Sequence, residues 1–391
     1  MTAGNQRNIA AEELIEMVDE DSIVGLTQKV IQIESTNPPG NELDLAKYLA
    51  GYLERANLSV ELFEYEAKRA NLVARIRGSG ERPNLIFSAH MDTVPAGEIP
   101  WRFPPFSATQ YGGRIFGRGA ADMKSGLAAM AEAAAILAKA GFSPKGDLIV
   151  AFTYDETHGL QGAKRLIEEG HLDGSGAVLI SEPSALDVFI AEKGALWLKC
   201  HASGKTGHTS MPHLGRNAIL EMAHFLHRLE TDLDIDDCEH PLLGRPTFTV
   251  GTIKGGVTIN VIPDACEAEL DIRLLPGQDF EAVLNEVRLL AGENIKIELM
   301  DWKEPVESDP KAEIVQMALE AVEAITGKPR SVKGVSYYTD GAILANRLSI
   351  PMVIIGPADT GMTHQPDENV EIARLIQAVK IYLLLAYRYL N

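Results

Sequence analysis

Positive charge and cysteine are both scarce in this 391-residue chain. Lys and Arg number 36 against 55 Asp and Glu, a formal net charge of −19, and there are three cysteines. That deficit excludes the function classes that need clustered Lys and Arg, binding to nucleic acid phosphates above all, and disfavours anionic membrane surfaces. Long apolar runs are missing too: charges interrupt each one well before the ~18 residues of a membrane-spanning helix. Residues 1–21 are acidic and helical in pattern, with no basic stretch leading into an apolar one, so no secretory signal is expected. Cys200, Cys238 and Cys266 form no CxxC and are odd in number, which reads as reduced thiols in a cytoplasmic protein. HExxH and GxSxG do not occur, and the Gly204-Lys205-Thr206 tripeptide has Lys199 where a phosphate-binding loop needs glycine.

What is present is an ordinary globular balance, 46% apolar and 23% charged, in a length that suits two domains. Apolar residues three and four apart predict helices over 10–33 and 43–56. Strand-like runs follow at 59–65, 72–77 and 84–89. The Ala-rich segment 126–140 predicts a helix, because alanine loses least on entering one, and Gly141 and Pro144 mark its end. A strand at 148–153, a helix at 162–169 and a strand at 178–181 continue the alternation expected of an α/β sheet covered by helices. From about residue 196 the order becomes strand 196–201, helix 217–229, strands 247–253 and 265–274, helix 280–290 and strand 295–300. That is the β-α-β-β-α-β order of a ferredoxin-like module. Helical and strand patterns resume at 312–326, 352–355 and 372–387. The expected organisation is therefore a catalytic α/β domain in two pieces, 1–195 and 305–391, with a small α+β domain, 196–304, inserted between them.

Five segments at or just beyond apolar strands carry acids and histidines. Ser88-Ala89-His90-Met91-Asp92 places a His and an Asp two apart at a strand end, where open α/β sheets gather ligands. A carboxylate holding one ring nitrogen makes the other a good metal donor. The bland alternative is a strand-end His beside a solvated Asp. Gly117-Arg118-Gly119-Ala120-Ala121-Asp122 superficially suggests a dinucleotide loop, but Asp122 at the third glycine position would repel a pyrophosphate, which disfavours a dinucleotide-dependent oxidoreductase. Tyr154-Asp155-Glu156-Thr157-His158, Ser181-Glu182-Pro183 and Met362-Thr363-His364 complete the set. A Glu beside a metal-held water is a fit general base. Donors of this nitrogen and oxygen mix, without thiolate, suit Zn, Co or Mn.

In this order and spacing the segments resemble the family of dinuclear-metal deacylases and peptidases that includes acetylornithine deacetylase, succinyl-diaminopimelate desuccinylase, aminoacylase and carboxypeptidase G. The resemblance runs from about residue 23 onward. It implies a zinc-peptidase-like three-layer catalytic domain with an inserted ferredoxin-like lid that also forms a homodimer. It implies His90 and Glu182 as ligands of one metal, Asp92 as the partner orienting His90, and Asp122 as the carboxylate bridging two metals. His364 would bind the other metal and Glu156 would act as general base. His208, in Gly207-His208-Thr209-Ser210, resembles the lid histidine that stabilises the oxyanion. Asn260 and Arg273 match the pair that holds a substrate carboxylate, Arg273 having a strand-edge ion pair as its plainer alternative.

One position departs. The family has a second Glu after the base, a ligand of the second metal, and here that residue is Thr157, with His158 beside it as a substitute donor. One or two divalent ions are thus expected, Zn foremost. The expected activity is hydrolysis of the amide of a small N-acyl amino acid. A dipeptidase or carboxypeptidase, or a catalytically silent paralogue impaired at the metal site, are the alternatives.

Overall fold

The structure, a computed structural model, describes residues 10–391 apart from 67, 236–238, 328 and 330. Residues 1–9, the start of the 1–21 stretch, and Cys238 therefore lie outside the described residues. The chain forms two compact units, the larger from Met1–Ile190, Glu307–Lys333 and Thr339–Asn391 and the smaller from Ala191–Val306 and Gly334–Tyr338.

In the larger unit the neighbouring strands run Ser59–Glu64, Ala70–Ile76, Leu148–Thr153, Asn84–His90, Ser175–Ile180 and Met352–Ile354. The last four are mutually parallel, and the first two join antiparallel. Leu148–Thr153 is buried at every position, which is why it reads as a continuous apolar run: a sheet covered on both faces offers no site for alternation. The parallel register pairs His90 with Thr153 and Ser88 with Ile180, so the carboxyl ends of three strands open side by side.

Helix Lys124–Lys139 packs beside Glu20–Gln32 and the C-terminal helix Ile372–Leu390. It is buried almost throughout, and its small residues allow that close packing. Gly126 makes one contact stricter still: a Cβ there would collide with the Ser181 carbonyl. Gly356 is confined in the same way, against the carbonyls of Ser181 and Glu182. Both glycines thus let neighbouring backbone close on the segment that carries Glu182.

The single helix expected over 10–33 is two helices, Ala11–Glu16 and Glu20–Gln32. Asp19 separates them because its extended backbone and its carboxylate, accepting from Ser22 N at 2.8 Å, cap the second one. The Ala-rich helix begins at Lys124, two residues earlier than its composition suggested.

The smaller unit is a four-stranded antiparallel sheet in the order Thr247–Gly255, Ala265–Leu274, Gly194–Ser203, Ile295–Lys303. Its helices, Ala218–Asp232 and Phe280–Ala291, supply Met222, Phe225, Val283 and Val287 to a core shared with Leu196, Leu198, Leu270 and Ile272. Strand order and helix placement are those of the ferredoxin-like module. Cys200 and Cys266 sit buried as free thiols, and burial pushes the Cys200 thiol up to about 12, so it stays protonated.

Candidate active site

The centre is built on the strand ends of the larger unit. His90 closes its strand with its ring buried. Its Nδ1 lies 2.9 Å from the Asp92 carbonyl and 3.4 Å from Asp92 Oδ1, which aims Nε2 the other way. Within reach of Nε2 are Asp122 Oδ1 at 3.0 Å, Glu182 Oε1 at 3.4 Å and Glu156 Oε2 at 3.8 Å. His90, Asp122 and Glu182 each offer a donor atom within 4.8 Å of the others, and no other group of three His, Cys, Asp or Glu donors does so among the described residues.

Asp92 is fully buried and is held by four donors. Asn37 Nδ2 (3.0 Å), Thr157 N (3.1 Å) and Thr157 Oγ1 (2.7 Å) donate to Oδ2, and Glu156 N donates to Oδ1 at 3.1 Å. Burial alone would raise its pKa, but His90 and these donors hold it well below the usual carboxylate range. Asp92 is therefore a fixed anion, and both its carbonyl, at 2.9 Å, and its carboxylate, at 3.4 Å, face His90 Nδ1.

Asp122 spans two imidazoles, Oδ1 towards His90 and Oδ2 towards His364 Nε2 at 3.2 Å. Against the effect of burial, those two rings keep its carboxyl below the ordinary range. The His364 loop is tied to the Asp122 loop through Glu368. Its Oε1 accepts from Ala121 N (2.8 Å) and Asp122 N (3.0 Å), while its Oε2 pairs with Arg118 in the interior.

Acids outnumber bases here, and burial accentuates the imbalance. Glu182 is pushed up to about 7 by burial and by Asp122. Glu156 stands well above its ordinary value, from burial first and then from Glu182, Asp340 and Asp122, with His90 acting in the opposite sense. His90 is raised well above an ordinary imidazole, its four surrounding acids outweighing burial. Packed nitrogen and oxygen donors with surplus negative charge fit a divalent cation.

The structure brings His90, Asp92, Asp122, Glu156, Glu182 and His364 together. Thr157 faces Asp92, with His158 Nδ1 3.1 Å from its Oγ1. The remaining expected residues lie in the smaller unit. The exposed His208 ring accepts from Ser210 N and sits 2.7 Å from Ser210 Oγ, and its backbone bridges to Val261, beside Asn260. Arg273 Nη2 donates to Asp271 Oδ2 at 2.8 Å, the strand-edge ion pair, with Tyr338 under its guanidinium.

Sequence reasoning missed Asn37 and Asp340. Asp340 is buried, accepts from Thr153 Oγ1 at 2.5 Å and is raised to about 6, chiefly by burial. Asn37 precedes Pro38-Pro39 in an irregular stretch that carried no chemical signature of its own.

The fold and these residues define a metallohydrolase. The chain belongs to peptidase family M20/M25/M40, whose model matches residues 86–388. It is 33% identical over 350 residues to the acetylornithine deacetylase of Vibrio atlanticus, covering 86% of this chain and 89% of that protein. It is 27% identical over 407 residues to a probable succinyl-diaminopimelate desuccinylase of Staphylococcus aureus, covering 95% and 98%. The M20 family metallo-carboxypeptidase Sso-CP2 from Sulfolobus solfataricus shares the fold, with a TM-score of 0.83 at 22% identity over 94% of this chain and 99% of that one. The chain is accordingly a hydrolytic enzyme that acts on amides or peptides.

Proposed function

We propose that this enzyme hydrolyses the amide of a small N-acyl amino acid, in the manner of a deacetylase or desuccinylase. The observation that carries the reading is the place of Glu156. Its Oε2 lies 3.8 Å from His90 Nε2, beside the three-donor cluster and outside it. A carboxylate so placed is adjacent to the reacting water without being used up as a ligand.

His90, Asp122 and Glu182 would hold the ion, with His364 on the far oxygen of Asp122, and zinc suits these donors best, with cobalt or manganese as alternatives. Such an ion supplies Lewis acidity, acidifying water and polarising the acyl carbonyl. Glu156 takes the water's proton on a carboxylate oxygen and returns it to the leaving amine. Its upward-shifted pKa suits both roles, since a base too weak to hold the proton could not carry it. Asp92 keeps the His90 ring oriented. On the chemistry of their side chains, His208 is assigned to the developing oxyanion and Asn260 with Arg273 to the substrate carboxylate.

Two relatives named for N-acyl amino acid hydrolysis support this substrate class over a carboxypeptidase or dipeptidase, although the Sso-CP2 likeness keeps short peptides in the assay panel. Glu156→Gln, which preserves shape but not basicity, should lower kcat by about 10²–10⁴-fold. Near-normal turnover would reject the mechanism, and turnover of dipeptides but of no N-acyl amino acid would reject the substrate class.

We also propose a homodimer through the smaller unit. Strand Thr247–Gly255 is a sheet edge, and Val257 and Ile259 beyond it are 86% and 97% exposed. A cytoplasmic location is proposed from the free buried thiols of Cys200 and Cys266. Among the described residues no helix is long and apolar enough to cross a membrane.

A further inference from the structure

The two sides of Asp122 are unequally equipped. On the Oδ1 side stand His90 and Glu182, both buried, which with Asp122 make three donors. On the Oδ2 side stands His364 alone, at 3.2 Å, its side chain 56% exposed. No third His, Cys, Asp or Glu donor comes within 4.8 Å of that pair among the described residues. We propose that the enzyme holds a single divalent ion tightly, on His90, Asp122 and Glu182, and that Thr157 leaves the His364 side a two-donor seat from which a second ion is readily lost. This rests on the metallohydrolase reading above.

Thr157 cannot complete the second seat. It is neutral, and its one hydroxyl proton is given to Asp92 Oδ2 at 2.7 Å. Its oxygen already receives Asn37 Nδ2 at 3.2 Å. With the proton committed to Asp92, the 3.1 Å approach of His158 Nδ1 makes that nitrogen a donor to Thr157 Oγ1; its Nε2 keeps a lone pair, but neither ring nitrogen completes a three-donor group with His364 and Asp122. Divalent cations of this class are held by several anionic or imidazole donors at once, and two donors, one of them exposed, fall short.

The same contacts give Thr157 a positive task. Two of the four donors on the Asp92 carboxylate come from this residue, its N–H and its hydroxyl, and that carboxylate lies 3.4 Å from His90 Nδ1, beside the Asp92 carbonyl at 2.9 Å. Through that carboxylate Thr157 supports the three-donor seat while depriving the other of a ligand. It is a positioning residue, and it acts on metal through Asp92 and His90.

The test is metal content and spectroscopy on full-length protein, stripped with chelator, reloaded with Co²⁺ and desalted. The wild type should retain one ion per chain, with the spectrum of an isolated Co²⁺. Thr157→Glu should retain two, with magnetic coupling between ions sharing Asp122. Thr157→Val should still retain one, with at least about tenfold weaker Co²⁺ affinity because Asp92 loses its hydroxyl donor. His364→Ala should leave the retained ion and its affinity within about threefold of wild type, which keeps the proposal testable should Thr157→Glu misfold. Two ions retained by the wild type, or loss of the retained ion in His364→Ala, would overturn the inference while leaving the metallohydrolase reading intact. No ion retained by any variant would overturn that reading itself.

Discussion

Asp340 shows how a residue outside the three-donor cluster can set the acidity of the site. It is buried, held on one oxygen by Thr153, and it adds negative charge near Glu156. Its folded pKa of about 6 lies above the ordinary 3.8, mainly through burial. A raised acid favours the folded state fully below the ordinary value and loses that contribution as pH rises through the folded one. In chelator-treated protein, Asp340→Asn should therefore match the wild type at pH 4 and gain stability progressively up to pH 7, by at most about 3 kcal/mol. Urea unfolding at several pH values measures it, and a constant difference across that range would contradict the assignment. The same change should move the acidic limb of the activity profile downward, because Glu156 loses one of the charges that raise it. Nothing in the sequence singled out Asp340. Its neighbours are ordinary residues, and its significance comes from strand Leu148–Thr153 delivering Thr153 to it across 187 positions.

Among the elements, those with strong local signals were legible and those dependent on partners were not. The Ala-rich helix and the fully buried strands announced themselves by composition, and the five strand-end segments followed because parallel strands must end together. The helix Gly341–Leu348 and the short strands Thr109–Tyr111 and Asn369–Glu371 were missed: each strand is three residues long, and Asn369–Glu371 finds its partner Arg114–Phe116 about 255 positions back in the chain. Gly126 was legible only as a small residue, whereas its function is to let helix Lys124–Lys139 meet Ser181. Gly126→Ala should force that helix and the Glu182 segment apart, costing about 1–3 kcal/mol as overpacking does. A thermal shift accompanied by weaker Co²⁺ retention would bear this out. A shift with unchanged metal affinity would show that Glu182 is positioned by other contacts.

At the level of the whole molecule, composition spoke mainly by exclusion. A net charge of −19 argued against nucleic acid partners without saying what the enzyme cleaves. Family membership supplies the reaction class, and the substrate depends on pocket walls that no motif encodes. Oligomeric state is open to a direct test at this scale. If the sheet edge Thr247–Gly255 pairs with its copy, light scattering should report a dimer of 391-residue chains. Val257→Asp combined with Ile259→Asp, both at exposed positions, should weaken it by about tenfold or more without lowering the melting temperature of the monomer. A monomeric wild type would dismiss the dimer.

The Glu368 clasp has a consequence for biosynthesis. The backbone amides of Ala121 and Asp122 find their acceptor 247 and 246 residues further along the chain. At roughly 5–20 residues per second, the ribosome delivers that acceptor about 12–50 s after Asp122. Until then the smaller unit has emerged in full while Asp122 still lacks its contact with His364 and Arg118 its pairing with Glu368. The Asp122 loop therefore waits through most of synthesis for its acceptor, and it is clasped only when residue 368 folds back onto it.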